Sequence, residues 1–205
     1  MIAVVDYGVN NLRSVVRALA AAGHEATLTD DPDAVRAADR VLLPGVGHFG
    51  QAIANLTRSG LGDAVHDVAR AGRPVMGICL GLQLFLEVSE EAPGVRGLSL
   101  LPGRVRRFAV ELPVPHVGWA LVTPTGSGRQ HPLVGRVLRA PEFFYHVHSY
   151  HPADLTNGEV LATGDYGYVF PTLVGRENVL GAQFHPEKSQ RAGIALLGAF
   201  AEWRP

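Results

Sequence analysis

The sequence predicts an α/β fold: an open, largely parallel central sheet with helices on both faces, followed by a β-rich second half. Three observations predict it. Through the first half, short continuously apolar runs alternate with stretches of helical periodicity, the pattern of βαβ units whose strands are covered on both sides. A lone cysteine sits where one such apolar run turns into a helix. From residue 103 to 184, glycine and proline break the chain into short β-rich segments with little helical period.

Residues 2–5 are an unbroken apolar run and form the first strand. Asn10 or Asn11 caps a helix whose Leu12, Val15, Val16 and Leu19 recur at helical spacing, and Gly23 ends it. A second strand over 25–29 and a short helix after Pro32 follow. The third strand, 40–43, is closed by Pro44-Gly45-Val46-Gly47. Helices over 49–56 and 61–71 lead to a strand over 74–78. In the second half, strands are expected at 105–110, 120–122, 142–147, 169–174 and 179–184. A last helix, 189–203, turns Ile194, Leu197 and Phe200 inward. The acidic stretch 87–93 reads as a solvated loop. Neither a composition shift nor a repeat marks a boundary, so 1–205 reads as one domain.

Composition narrows the function classes. The chain has 205 residues, 47% hydrophobic and 18% charged, with a net charge of −1, a globular balance with no electrostatic case for nucleic acid or an anionic membrane. One cysteine cannot form an internal disulfide and fits a reducing compartment. The N-terminus reaches Asp6 after a short strand, unlike a signal peptide, and no apolar run is long enough to span a bilayer. A cytoplasmic protein is expected.

The chemistry centres on Gly77-Ile78-Cys79-Leu80-Gly81. This is the sulfur version of the Gly-x-Ser-x-Gly nucleophile elbow, in which a tight strand-to-helix turn exposes the reactive atom above a sheet. The helix starting at Leu80 directs its free N–H groups at the sulfur and favours thiolate. A cysteine serving only as a small buried hydrophobe would need neither glycine.

A thiolate needs a base, and the base an orienting group. Gln183-Phe184-His185-Pro186-Glu187 follows an apolar run, and Pro186 biases His185 toward extended backbone. Residues two apart in an extended stretch share a side, so Glu187 can hold one ring nitrogen protonated and leave the other facing sulfur. The loop Gly45, Val46, Gly47 lies at a strand's carboxyl end, where α/β sheets bind ligands. One of its N–H groups, with that of Leu80, can form an oxyanion hole. Read alone, the His185 segment is equally a plain surface turn, and the glycine loop is better read as a plain turn. In Tyr145-His146-Val147-His148-Ser149-Tyr150-His151, two histidines share a strand face without a cysteine or carboxylate to complete a zinc set. A strand lining a polar substrate pocket is the reading preferred, with no metal.

Cys79 in its glycine frame, followed at long range by His185-Pro186-Glu187, resembles the class I glutamine amidotransferases. Asp6 to Val15, Pro44 to Gly50, Pro115 to Trp119, His146 to Tyr150 and Gln183 to Ser189 are most similar to the glutaminase subunits of imidazole glycerol phosphate synthase. The likeness runs through nearly the whole chain. It implies Cys79 as nucleophile, His185 as acid/base and Glu187 as its orienter. Gln83, Ser149 and Tyr150 would hold glutamine, with Gly45, Val46, Gly47 and Leu80 around the oxyanion. Lys188 and Trp119 would lie near a partner. Asn10 and Ala120 replace a glycine and an asparagine expected there; both lie outside the triad, and the chemistry is left intact.

The resemblance implies no cofactor. It implies a heterodimer with a (β/α)8-barrel cyclase subunit, which uses the ammonia to make imidazole glycerol phosphate and an aminoimidazole carboxamide ribonucleotide. Glutaminase partners of pyridoxal phosphate synthase or anthranilate synthase keep the same chemistry with another acceptor. A stand-alone γ-glutamyl hydrolase or a non-catalytic binding module are the other readings, and an intact Cys-His-Glu set opposes the last.

Overall fold

The computed structural model describes residues 1–205. Its first half contains β1 (Ile2–Val5), α1 (Leu12–Ala21), β2 (Ala26–Thr29), α2 (Pro32–Ala37), β3 (Arg40–Gly45), α3 (Phe49–Ser59), α4 (Leu61–Arg70), β4 (Val75–Cys79) and α5 (Leu80–Phe85). The second half adds β5 (Val88–Ser89), β6 (Arg104–Arg107), β7 (His116–Pro124), α6 (Gly126–Gln130), α7 (Val134–Val137), β8 (Glu142–His148) and β9 (Tyr150–Ala153). It ends with β10 (Val160–Asp165), β11 (Val169–Arg176), β12 (Val179–Ala182), a 3-10 turn (Pro186–Lys188) and α8 (Gln190–Glu202).

Nine strands form one sheet in the order β2-β1-β3-β4-β12-β11-β10-β7-β8, and β5-β6-β9 form a small second sheet. The strands from β2 to β12 pair in parallel. Those from β12 outward to β8 pair antiparallel, so the sheet is mixed. Long helical crossovers return the early strands parallel, and short turns make β10, β11 and β12 antiparallel neighbours, while β7 and β8 are antiparallel across a longer connection containing α6 and α7.

Successive residues of a strand face opposite sides of the sheet, and two cores result. Ile2, Val4, Leu42, Met76 and Ile78 pack with Leu19, Leu197 and Phe200 of α1 and α8. Ala3, Val5, Val41, Leu43 and Val75 pack with Phe49, Leu56, Val65 and Phe85 of α3, α4 and α5. The clusters contain 26 and 25 buried residues, so both faces are covered about equally, as a parallel sheet requires.

Several elements differ from expectation. β3 runs on through Pro44 and Gly45, which pair with Ile78 and Cys79; proline and glycine do not end it because the neighbouring strand continues alongside. β7 covers nine residues, not three. Its outward side chains Val117, Trp119 and Leu121 are as apolar as its inward ones, so no alternation marks it in the sequence. β9 and β10 were not expected, the former because His151 and Pro152 disguise it. In α8, Ile194 is only half buried, and Leu196 points inward with Leu197 and Phe200. No helix is long and apolar enough to cross a membrane.

Candidate active site

β3, β4 and β12 are adjacent parallel strands, and their carboxyl ends converge. Gly45 ends β3 opposite Cys79 at the end of β4, and His185 follows β12. Gly45 and His185, 140 positions apart in the chain, meet at the carboxyl ends of these strands, the place where open α/β sheets bind ligands.

Cys79 stands at φ 53° and ψ −108°, a strained backbone for a residue with a side chain. The two glycines serve packing rather than φ. A Cβ at Gly81 would fall 1.6 Å from the Leu43 carbonyl oxygen, and one at Gly77 2.6 Å from the Gly81 carbonyl carbon. Strand and helix therefore approach more closely than any side chain permits, and the elbow closes at Cys79.

His185 lies in extended backbone, but Glu187 belongs to the 3-10 turn beginning at Pro186. The two side chains meet because that turn folds Glu187 back, not because they share the face of a strand. His185 Nδ1 donates to Glu187 Oε1 at 2.7 Å, with the side chains only 2% and 1% exposed. Burial alone would lower the basicity of His185. The charge of Cys79, then the hydrogen bond and charge of Glu187, outweigh it and push its pKa up to about 10, while Nε2 has no hydrogen-bond partner of its own. The imidazolium is thus held between a sulfur and a carboxylate. Ser189 clamps this segment, its hydroxyl donating to the His185 carbonyl at 2.6 Å and accepting from Tyr145 N at 3.0 Å.

A cavity of about 250 Å³ opens over the sulfur. Val46, Gly47, Cys79, Leu80, Gln83, Ser149 and Tyr150 all line it, as expected, and so does His148. Gly45 does not. It faces a small hollow on the other side of the loop, shared with Asn10, Asn11, His185 and Glu187. The reason is pairing: Gly45 is still in the β3 ladder, and the chain leaves the sheet only at Val46. Behind Gly45 lies Tyr7, whose hydroxyl occupies the space a Cβ would take, at 2.0 Å. Burial, then the Cys79 charge, push the Tyr7 pKa up, so the phenol stays protonated.

Of the paired histidines, only His148 reaches the cavity; its Nδ1 donates to the Tyr150 carbonyl at 2.9 Å. His146 is buried behind it, bonded to Thr172 Oγ1 at 2.9 Å and Phe144 O at 3.0 Å. Burial pushes the His146 pKa down to about 3 and that of His148 well below the usual range. Both are neutral, and His146 belongs to an aromatic core around Phe170 and His116.

Two residues escaped the sequence reading. Glu91 lies in the segment taken for a solvated loop, yet it is half buried, lines the cavity and accepts from Phe49 N at 2.7 Å. The short strand β5 pairs with β6 and tucks this segment under the site. Gln183 is buried, and its Nε2 donates to Cys79 Sγ at 3.7 Å. Gln83 Nε2 donates to Gln183 Oε1 and to the Tyr150 carbonyl, at 3.1 and 3.2 Å, so an amide relay connects sulfur with the Tyr150 backbone. The only clue to Gln183 was a polar side chain inside an apolar strand.

Residues 3–201 match the family model of glutamine amidotransferase class-I. The chain is 50% identical over 202 residues to the imidazole glycerol phosphate synthase subunit HisH of Symbiobacterium thermophilum, covering 98% of this chain and 92% of that one. It is 46% identical over 209 residues to the HisH subunit of Halobacterium salinarum, with 98% and 93% covered. The chain belongs to the HisH family of class I glutamine amidotransferases.

Solved structures agree on the amidotransferase fold. A crystal structure of a glutamine amidotransferase superposes with a TM-score of 0.77 at 22% identity, covering 98% of each chain. The glutaminase domain of a Trypanosoma brucei CTPS with bound acivicin gives 0.70 at 16% identity, covering 100% of this chain and 94% of that one. At such identities the likeness concerns the fold alone.

Proposed function

We propose that this HisH-family chain hydrolyses L-glutamine to glutamate and ammonia through a thioester on Cys79, and passes the ammonia to a cyclase subunit. The observation that carries the reading is that parallel β4 and β12 bring Cys79 and His185 to one end of the sheet, with the imidazole Nδ1 bound to Glu187 at 2.7 Å. Cys79 thiolate attacks the side-chain amide carbon, and a C–S bond forms. The oxyanion is met by backbone N–H groups of Leu80 and of Val46 or Gly47. His185 gives its proton to the nitrogen, the C–N bond breaks, and ammonia leaves. Water, losing a proton to His185, then splits the thioester.

Glu91 is the carboxylate placed to receive the α-ammonium of glutamine, and Ser149 and Tyr150 receive its carboxylate. The Gln83 amide N–H groups are taken by Tyr150 and Gln183, so Gln83 acts chiefly by holding the substrate segment. Residues 1–205 form one domain on this reading, since the sheet interleaves β12 from the second half beside β4 from the first. A free thiol that must stay reduced suits the cytoplasm.

Ammonia released into neutral water becomes ammonium, which is no nucleophile, so transfer needs a shielded path into a second site. The outer edge of the sheet supports a docked partner. Val117, Trp119, Leu121 and Phe143 of β7 and β8 are 43 to 57% exposed, an unusual apolar stripe for solvent. Beside it Lys188 Nζ lies 5.6 Å from the centre of the Tyr145 ring. The cyclase of imidazole glycerol phosphate synthase is the partner proposed, in a heterodimer.

Glutamate release is measured for the chain alone, and with that cyclase and its nucleotide ligand. Low turnover alone and strong activation in the complex are expected. Full turnover by the isolated chain overturns the partner's control, and activity surviving Cys79→Ala overturns the mechanism.

A further inference from the structure

We propose that Asn11 is a positioning residue for this reaction, holding the Glu187 carboxylate in line with His185 from the first turn of α1. The proposal rests on the Cys79–His185–Glu187 reading above. Asn11 occupies the residue before α1, where asparagine ordinarily sits in extended backbone and accepts an N–H of the first turn. Here it does neither. Its backbone is left-handed, at φ 72° and ψ 8°, and its side chain makes no capping bond. Instead Nδ2 reaches 176 positions along the chain and donates to Glu187 Oε1 at 2.7 Å.

That oxygen also accepts from His185 Nδ1 at 2.7 Å. The other carboxylate oxygen, Oε2, is buried with no partner. The two bonds to Oε1 are therefore all that orient a nearly inaccessible carboxylate. Glu187 also borders a shallow hollow lined by Ser14 and Arg17 of α1 and Gln190 of α8, and Arg17 is the one formally charged side chain there besides Glu187 itself. Without Asn11 the carboxylate can rotate away from its alignment with the ring, and its hold on the imidazole weakens.

The residue type suits the task. An amide donates without bringing charge, so Glu187 keeps its full negative charge for His185. A lysine or arginine at this position would neutralise it, and an aspartate would repel it. The left-handed backbone directs the side chain away from the helix it precedes and toward the triad. Two local preferences, an extended cap and a capped first turn, are given up for one distant hydrogen bond.

The test uses Asn11→Gly in the complex with the candidate cyclase and its nucleotide. Glycine favours a positive φ, so the start of α1 is kept while the donor is lost. The expected result is a fall in kcat on the order of 10-fold, the size of a lost hydrogen bond to a charged group, with KM for glutamine within about 2-fold. The melting temperature is not lowered. In a Glu187→Ala background, Asn11→Gly causes no further loss, since the two act as one unit.

A kcat within about 2-fold of the parent, with Cys79→Ala inactive, overturns the proposal and leaves the triad standing. An undiminished loss in the Glu187→Ala background overturns it as well, placing the effect elsewhere. If Cys79→Ala remains active, the triad reading falls and this proposal with it.

Discussion

His185 is buried beside Cys79 and bound to Glu187, and these neighbours decide when its ring gives up a proton. The His185 pKa of about 10 is held up against burial first by Cys79 and then by Glu187. Because the folded pKa lies above the unfolded one, the contribution of His185 to stability is complete below about pH 6.5. It is lost as pH rises through about 10. A histidine NMR titration of the intact chain should find this ring charged at neutral pH. In Cys79→Ala the largest opposing influence on burial is gone, and its titration should move down toward neutrality. An unchanged titration would show that sulfur is not what holds the proton.

Gly45 is a second residue whose smallness is imposed by a neighbour. A Cβ there meets the Tyr7 hydroxyl at 2.0 Å, but the ring carbon behind it only at 3.3 Å. Gly45→Ala should cost about 1 to 3 kcal/mol by thermal or urea unfolding, the usual cost of overpacking. Adding Tyr7→Phe should recover much of that loss. Two costs that simply add would place the collision elsewhere.

At the scale of elements, the elbow depends on α5 lying against the end of β3. Gly81 is the contact, with the Leu43 carbonyl oxygen 1.6 Å from where a Cβ would be. Backbone cannot yield as a flexible side chain does. Gly81→Ala should therefore destabilise the protein by about 3 kcal/mol or more, measured by urea unfolding, beyond the usual range for one added methyl. Its residual fold should also lose glutaminase activity, because the Cys79 turn opens. A stable and active variant would show that α5 can slide, and that the elbow is looser than its packing indicates.

The molecule as a whole is two apolar cores about one sheet, with a third apolar surface left uncovered along β7 and β8. Trp119, 46% exposed and edge-on to Tyr145 with ring centroids 6.2 Å apart, is its largest side chain. Trp119→Ala should weaken association with the cyclase by about 2 kcal/mol, roughly 30-fold in Kd, as for a central aromatic anchor. Because nearly half of the side chain faces solvent, the melting temperature of the isolated protein should change far less than the affinity. Calorimetric titration with the cyclase measures the first, and a thermal scan the second.

How much of this was legible in the amino-acid order depends on the range of the interaction. Cys79 with Gly77 and Gly81, and His185 with Glu187, could be read directly, since each group needs neighbours within a few residues. The parallel first half was legible for the same reason: buried strands and amphipathic helices carry their periods locally. β7 was read as three residues because an apolar outward face erases the alternation that marks a strand. Glu91 looked solvated because only the pairing of β5 with β6 carries it beneath the cavity, and Gly45 was put on the wrong side of its loop because strand pairing across to Cys79 decides where the chain leaves the sheet. Asn11 read, with Asn10, as one of two candidate helix caps, and only the fold brings a carboxylate 176 positions away to its amide. The order of residues by itself settled the α/β class and named the groups proposed to react. Tertiary structure alone chose which side chains surround them, because those contacts join segments whose separation along the chain carries no local signal.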